Sequence, residues 1–175
     1  MTRAIIINGG NSVNSRLTGI EQKIQALLKK DGIENDVISV HQLPAHDLIT
    51  ANFASEEIKK SIVKVGEADI VFFLTPIYKG SFTGILKTFI DLLPQKGLEN
   101  KIAVPVAIGG SIAHLLALEY SLKPVLSILG ATHITNPIYI VDSQVERLDN
   151  GYTLDEDATD RIEKVLKTLP IKQYA

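Results

Sequence analysis

Three short stretches carry side chains and glycines that could do chemistry together. The first is NGGNSVNSRLT, from Asn8 to Thr18. Ser12, Asn14 and Ser15 bring polar groups, Arg16 brings a full positive charge, and Gly9 and Gly10 let the backbone approach a ligand closely. A helix opening here would add unpaired N–H groups and partial positive charge, an arrangement that suits phosphate. The same residues also suit a plain turn with an N-cap at Asn14 or Ser15. No G-K-[ST] follows the glycines, so hydrolysis of ATP or GTP on a Walker loop is not expected.

The second stretch, TPIYKGSFTG, runs from Thr75 to Gly84 and carries little charge for a loop. Pro76 restrains its backbone, and Gly80 and Gly84 permit unusual dihedrals or close contact. Tyr78 offers an aromatic face with a polar tip. Backbone N–H groups along such a loop can bond the polar edge of a flat ring while apolar side chains cover its face. Lys87 and Asp91 follow at i,i+4 spacing, which suits a surface pair. The third stretch is AIGGSIAH, from Ala107 to His114. Gly109 and Gly110 allow close backbone contact, Ser111 can cap a helix, and His114 can serve either a ligand or the structure. His41, His46 and His133 are scattered without ligand-like spacing, so no metal site is expected. An anion cradle, a ring-sized floor and a Gly-Gly wall together suit a phosphorylated planar cofactor, and FMN fits best.

These stretches need a frame that brings them to one place. Apolar runs of strand length alternate with segments of helical period along the chain. Strands are expected over Ala4–Ile7, Asp36–Val40, Asp69–Thr75, Ile102–Ile108 and Ile134–Val141. Helices are expected over Ser15–Lys30, Glu56–Val65, Gly84–Leu93, Ile112–Leu129 and Asp155–Leu169, with residues 42–54 irregular. Unbroken apolar strands joined by helices predict a buried parallel sheet with right-handed crossovers, hence a three-layer α/β/α doubly wound fold. Five strands without G-x-G-x-x-G favour the order 2-1-3-4-5 over a Rossmann order. In such a sheet the three stretches lie at the carboxyl ends of strands one, three and four, around the switch point.

The chain's 175 residues suit one domain, 1–175, with 45% hydrophobic and 22% charged residues. A net charge of −2 gives no nucleic-acid footprint. The absence of cysteine excludes disulfides, thiolate catalysis and iron–sulfur clusters. No run approaches the ~20 apolar residues of a membrane span, and no signal pattern opens the chain, so a cytoplasmic protein is expected.

The motifs resemble those of the flavodoxin-like NADPH-dependent FMN reductases, in particular the type associated with two-component alkanesulfonate monooxygenases. The matching residues are G-x-x-x-x-x-S-R (Gly9–Arg16), T-P-x-Y-K-x-x-x-x-G-x-L-K-x-x-x-D-L-L-P (Thr75–Pro94) and G-G-S-x-A-H-L-L-A-x-x-Y-x-L-K-P-V-L (Gly109–Leu126). D-S-Q-V at Asp142–Val145 matches too, and the resemblance covers about residues 3 to 146. Gly10 and Leu17 depart from the family pattern, which carries Ser, and Ser or Thr, at those places. The resemblance implies that Ser15 and Arg16 hold the FMN phosphate. It implies that Pro76, Ile77, Tyr78 and Lys79 line the isoalloxazine, and that Gly109, Gly110 and Ser111 bound its pyrimidine side. It further implies oxidation of NADPH or NADH, delivery of reduced flavin to a partner monooxygenase, and a homodimer or homotetramer. No catalytic acid or base is needed, because hydride passes between cofactors.

Pro124 lacks the N–H that the Tyr120 carbonyl would otherwise accept, which predicts a kink or local widening of the helix before it. By the resemblance, Tyr120 sits in such a bulge at a subunit interface near the flavin, with His114 and Lys123 as further contacts; read alone, Tyr120 is a partly buried packing residue. Two rival functions use the same cleft: a quinone, azo or metal-ion reductase that keeps its FMN, and a flavodoxin-type electron carrier. The low net charge argues against the carrier.

Overall fold

Arg3–Asn8 forms β1, whose alternate residues serve opposite faces of a sheet: Ile5 and Ile7 enter one core, Ala4 and Ile6 the other. The computed structural model describes residues 2–170; residue 1 and residues 171–175 of the expected domain lie outside it. The remaining strands are β2 (Glu34–Ser39), β3 (Ile70–Pro76), β4 (Ile102–Gly109), β5 (His133–Ile134) and β6 (Ile138–Val141). All pair in parallel in the order β2-β1-β3-β4, with β5 and β6 in succession along the far side of β4. This is the order 2-1-3-4-5, with the fifth position filled by two segments.

Helices cover both faces. Those on one side are α3 (Glu56–Glu67), α4 (Gly84–Ile90) and α5 (Lys123–Ile128), which bury Ile58, Phe89 and Leu126. On the other lie α1 (Arg16–Lys30) and α6 (Glu156–Lys167), which bury Ile20, Ile24 and Ile162. Register then aligns the loops: Asn8 lies beside Leu74, Pro76 beside Ile108, and Gly109 beside Val141. The turns after β1, β3 and β4 therefore leave one end of the sheet together.

Four local expectations are corrected. Residues 42–54 contain a short helix, α2 (Ala45–Ile49), which buries only Leu48 and so leaves no periodic trace in the sequence. The helix expected over Ile112–Leu129 is three pieces: a 3₁₀ turn (Ile112–Leu115), a π-helical segment (Leu118–Leu122) and α5. The widening sits directly before Pro124, as the missing N–H predicts. The fifth strand is broken around Asn136 and Pro137, opposite Pro105 of β4. Ile102 donates to the Asp69 carbonyl and Ile108 accepts from Ile77, so the even positions of β4 bond toward β3. Pro105 thus turns its missing donor toward the fifth position, where the ladder lapses.

The fourth correction is an unforeseen antiparallel hairpin, β7 (Val145–Leu148) and β8 (Gly151–Leu154). Asn150-Gly151 is a strong hairpin signal, and Gly151 has φ +132°. Alternation turns Val145, Arg147, Tyr152 and Leu154 to one face. An ideal Cβ on Gly19 of α1 would stand 2.6 Å from Tyr152 Cβ and 3.2 Å from Val145 Cγ1, so the hairpin lies directly on α1.

Candidate functional site

The three loops and β7 enclose a cleft of about 370 Å³. Gly10, Asn14, Ser15 and Arg16 line one end, Pro76, Ile77 and Tyr78 the floor, and Gly109, Gly110 and Asp142 the far wall. Arg147 reaches in from the hairpin.

At the first end, Ser15 occupies the N-cap position of α1 with extended backbone, yet its side chain makes no capping bond. Its Oγ is buried without a hydrogen-bond partner among the described residues. The Ser15, Arg16 and Leu17 amides have no protein acceptor among the described residues, and the first turn holds no acidic side chain. An orphaned hydroxyl, open helix amides and two arginines suit a phosphate, so the FMN expected here fits. Behind the loop, Asn8 Oδ1 accepts from the Gly10 amide at 2.8 Å, and Asn8 Nδ2 donates to Glu21 Oε2 at 2.5 Å. Burial pushes the Glu21 carboxyl above its ordinary range, opposed by the Asn8 bond and the nearby His41.

Gly9 lies below the cleft rather than in it. An ideal Cβ there would meet Leu86 Cβ at 2.5 Å, and its carbonyl accepts from Thr83 Oγ1 at 2.7 Å. The same Thr83 oxygen caps α4 by accepting from the Leu86 amide at 3.1 Å. Thr83 thus ties the first loop to the second, a role its place in the sequence did not disclose.

The floor is a tight two-residue hairpin turn. Tyr78 N–H donates to the Ser81 carbonyl at 3.0 Å and Ser81 N–H to that of Tyr78 at 3.2 Å. Lys79 (φ +52°) and Gly80 (φ +76°) supply the two left-handed positions. This corrects the expectation of a row of free amides. Pro76 has none, Ile77 donates to the Ile108 carbonyl, Tyr78 and Ser81 are engaged in the turn, and Thr83 donates to Thr75 Oγ1, so only Lys79, Gly80 and Phe82 before α4 lack an acceptor among the described residues. The loop presents mainly the faces of Pro76, Ile77 and Tyr78. Gly84 touches nothing within 4 Å of an ideal Cβ and simply opens α4. Lys87 and Asp91 do pair, at 2.6 Å.

At the wall, Tyr139 of β6 donates its hydroxyl to the Ser111 carbonyl at 2.7 Å. Burial, then the Asp142 carboxylate, pushes that phenol above its usual range, so it stays a donor. The Gly110 and Ser111 amides have no acceptor among the described residues. Ser111 Oγ accepts from the Ala113 amide. The D-S-Q-V motif is a brace: Gln144 Oε1 accepts from the Val141 amide at 3.1 Å, and its Nε2 reaches Asp155 at 3.3 Å.

The cleft thus gathers Ser15, Arg16, Pro76, Ile77, Tyr78, Gly109 and Gly110 of the expected residues. Lys79 and Ser111 adjoin it, while His114 and Tyr120 lie exposed on the segment after β4, outside the lining. Tyr120 is 78% exposed in the single chain, which excludes the packing role. The missed residue is Arg147; the Asn150-Gly151 signal could have announced its hairpin, but not the hairpin's seat on α1.

A parallel sheet in this order, with its cleft at the switch point, is a flavodoxin-like α/β protein. Residues 2–146 match the model of the NADPH-dependent FMN reductase family, and the chain belongs to that family. It is 43% identical over 141 residues to an FMN reductase (NADPH) of Pseudomonas putida, covering 81% of this chain and 72% of that protein. It is 34% identical over 168 residues to an FMN reductase (NADPH) of Escherichia coli, covering 95% and 87%. The solved apo structure of the NADH:FMN oxidoreductase EMOB superposes with a TM-score of 0.84 at 31% identity, over 95% of this chain and 87% of that one. Family membership makes the chain an NAD(P)H:FMN oxidoreductase.

Proposed function

We propose that the cleft receives FMN between its three loops and releases it, reduced, to a partner monooxygenase of the alkanesulfonate type. The observation that carries the reading is the buried Ser15 hydroxyl, left without a partner beside the open amides of α1. Ser15 and Arg16 hold the phosphate, Pro76, Ile77, Tyr78 and Lys79 line the ring, and Gly109, Gly110 and Ser111 bound its pyrimidine side. When bound, FMN supplies the atom that accepts the nicotinamide hydride. The chain's own groups orient the reactants and need not move a proton. With Arg16 engaged at the FMN phosphate, Lys79 at the exposed rim is the cation that could favour NADPH over NADH.

Release is supported by the open rim, where Tyr78 and Gly110 are both exposed, and by the resemblance of the Thr75–Pro94 and Gly109–Leu126 motifs. Both reactants are cytoplasmic metabolites, and the reading places the enzyme there. Assembly belongs to the same reading. Ile112, Leu116, Tyr120 and Ile128 recur at multiples of four residues and are 57%, 57%, 78% and 83% exposed. Second copies of this chain cover that stripe in a homodimer or homotetramer.

The test is anaerobic turnover with NADPH and excess FMN, followed by rapid filtration. Reduced flavin in the filtrate is expected. Reduced flavin retained with the protein, passing electrons to a quinone or azo dye, would favour the bound-flavin reductase instead.

A further inference from the structure

We infer that Arg147, on the β7–β8 hairpin, binds the flavin 5′-phosphate and completes its cradle from outside the first loop. The inference rests on the FMN reading above. The family match ends at residue 146, so it assigns nothing to Arg147.

Arg147 lines the cleft, and its Nη2 donates to the Asn14 carbonyl, one residue from the orphaned Ser15 hydroxyl. Its guanidinium lies 5.8 Å from the Tyr152 ring centroid, and Tyr152 is seated on α1 at Gly19. Arg16 makes the converse contact: its Nε donates to the Val145 carbonyl of β7 at 2.9 Å. Each arginine therefore binds a backbone carbonyl of the other's segment, fixing the hairpin across the entrance of α1. One carbonyl uses one of the five donors of each guanidinium, and neither side chain meets a carboxylate within 4.0 Å among the described residues. Asp142 is the acidic side chain of the cleft lining, and it stands on the far wall near Gly110. Two arginines held close together at the phosphate end, with donors to spare, suit a dianion.

The location selects which phosphate. Asn14 precedes the helix whose open amides and unpartnered Ser15 hydroxyl suit an anion, so Arg147 serves the flavin 5′-phosphate rather than the NADPH 2′-phosphate. Riboflavin lacks the former and NADH the latter, which separates the two.

The experiment compares binding of FMN and riboflavin to the intact protein by fluorescence quenching, for wild type, Arg147→Gln, Arg147→Met and Arg147→Lys. The Met variant keeps an apolar stem over Tyr152 should Gln disturb the hairpin. Loss of a charge-assisted contact predicts FMN Kd raised about tenfold or more in Gln and Met, riboflavin Kd within about twofold, and partial recovery in Lys. The ratio of KM for NADPH to KM for NADH should stay unchanged. If both flavins weaken equally, Arg147 merely holds the hairpin and the inference fails. A shift in the NADPH to NADH ratio alone would hand Arg147 to the nicotinamide nucleotide and also overturn it. Wild type that binds neither flavin would defeat the FMN reading itself.

Discussion

Tyr139 occupies the space a side chain on Gly109 would need: an ideal Cβ there would stand 2.4 Å from the Tyr139 hydroxyl. That hydroxyl is also bound to the Ser111 carbonyl at 2.7 Å. Gly109→Ala should therefore displace Tyr139, release Ser111 and distort the wall. The expected cost is about 1–3 kcal/mol by urea unfolding, with weakened FMN binding. Unchanged stability would mean the wall does not depend on this contact.

Ser15→Ala should separate binding from folding. The hydroxyl is buried and unpartnered without ligand, so its removal should leave the flavin-free Tm unchanged or slightly higher. FMN affinity should fall about tenfold, the loss expected for a hydrogen bond to a charged phosphate. Equal affinity in the variant would remove Ser15 from the cradle.

Thr83→Val tests the tie between the loops. The change deletes the bond to the Gly9 carbonyl and the cap on Leu86 together. A loss of about 1–3 kcal/mol is expected from an unsatisfied buried carbonyl and a missing cap. Thermal unfolding at neutral pH reads it directly.

Glu21 makes stability depend on pH. Its carboxyl is raised by burial above the ordinary 4.5, so the folded chain binds its proton more tightly than the unfolded one. This contribution is complete below the unfolded value and is lost as pH rises through the folded value. Glu21→Gln keeps an acceptor for Asn8 and removes the titration. Compared with wild type, it should lose less stability between about pH 4 and about pH 8. Parallel stability curves for the two proteins would contradict the assignment.

Tyr120→Ala and Leu116→Asp should lower the oligomeric state seen by sedimentation while leaving the fold intact, because both side chains are largely exposed in the single chain. Unaltered sedimentation would exclude the stripe as the interface.

The sheet was legible because each central strand is an unbroken apolar run, and IVFFL of β3 has no other plausible place than between two covered faces. The first and third cleft loops were legible because their glycines directly follow such strands. Lost to the sequence was whatever depended on one long-range contact. Gly9 reads as a ligand-approach residue, but Leu86, 77 positions on, explains it as packing. Ile77 reads as a free amide until its bond to Ile108 is seen. Arg147 carries no signal in the sequence because only the hairpin's seat on Gly19 brings it to the cleft. Pro124 was the opposite case: a purely local constraint, and its π-helical consequence was predictable.

The most direct test of the central claim exploits Gly110. An ideal Cβ there meets only Asp142 Oδ2, at 3.7 Å, so Gly110→Leu should fold normally and fill the cleft. NADPH oxidation, followed by its near-ultraviolet absorbance as FMN is titrated in, should saturate with FMN in wild type and collapse in the variant. A rate that ignores added FMN, or one that survives the filled cleft, would contradict the account.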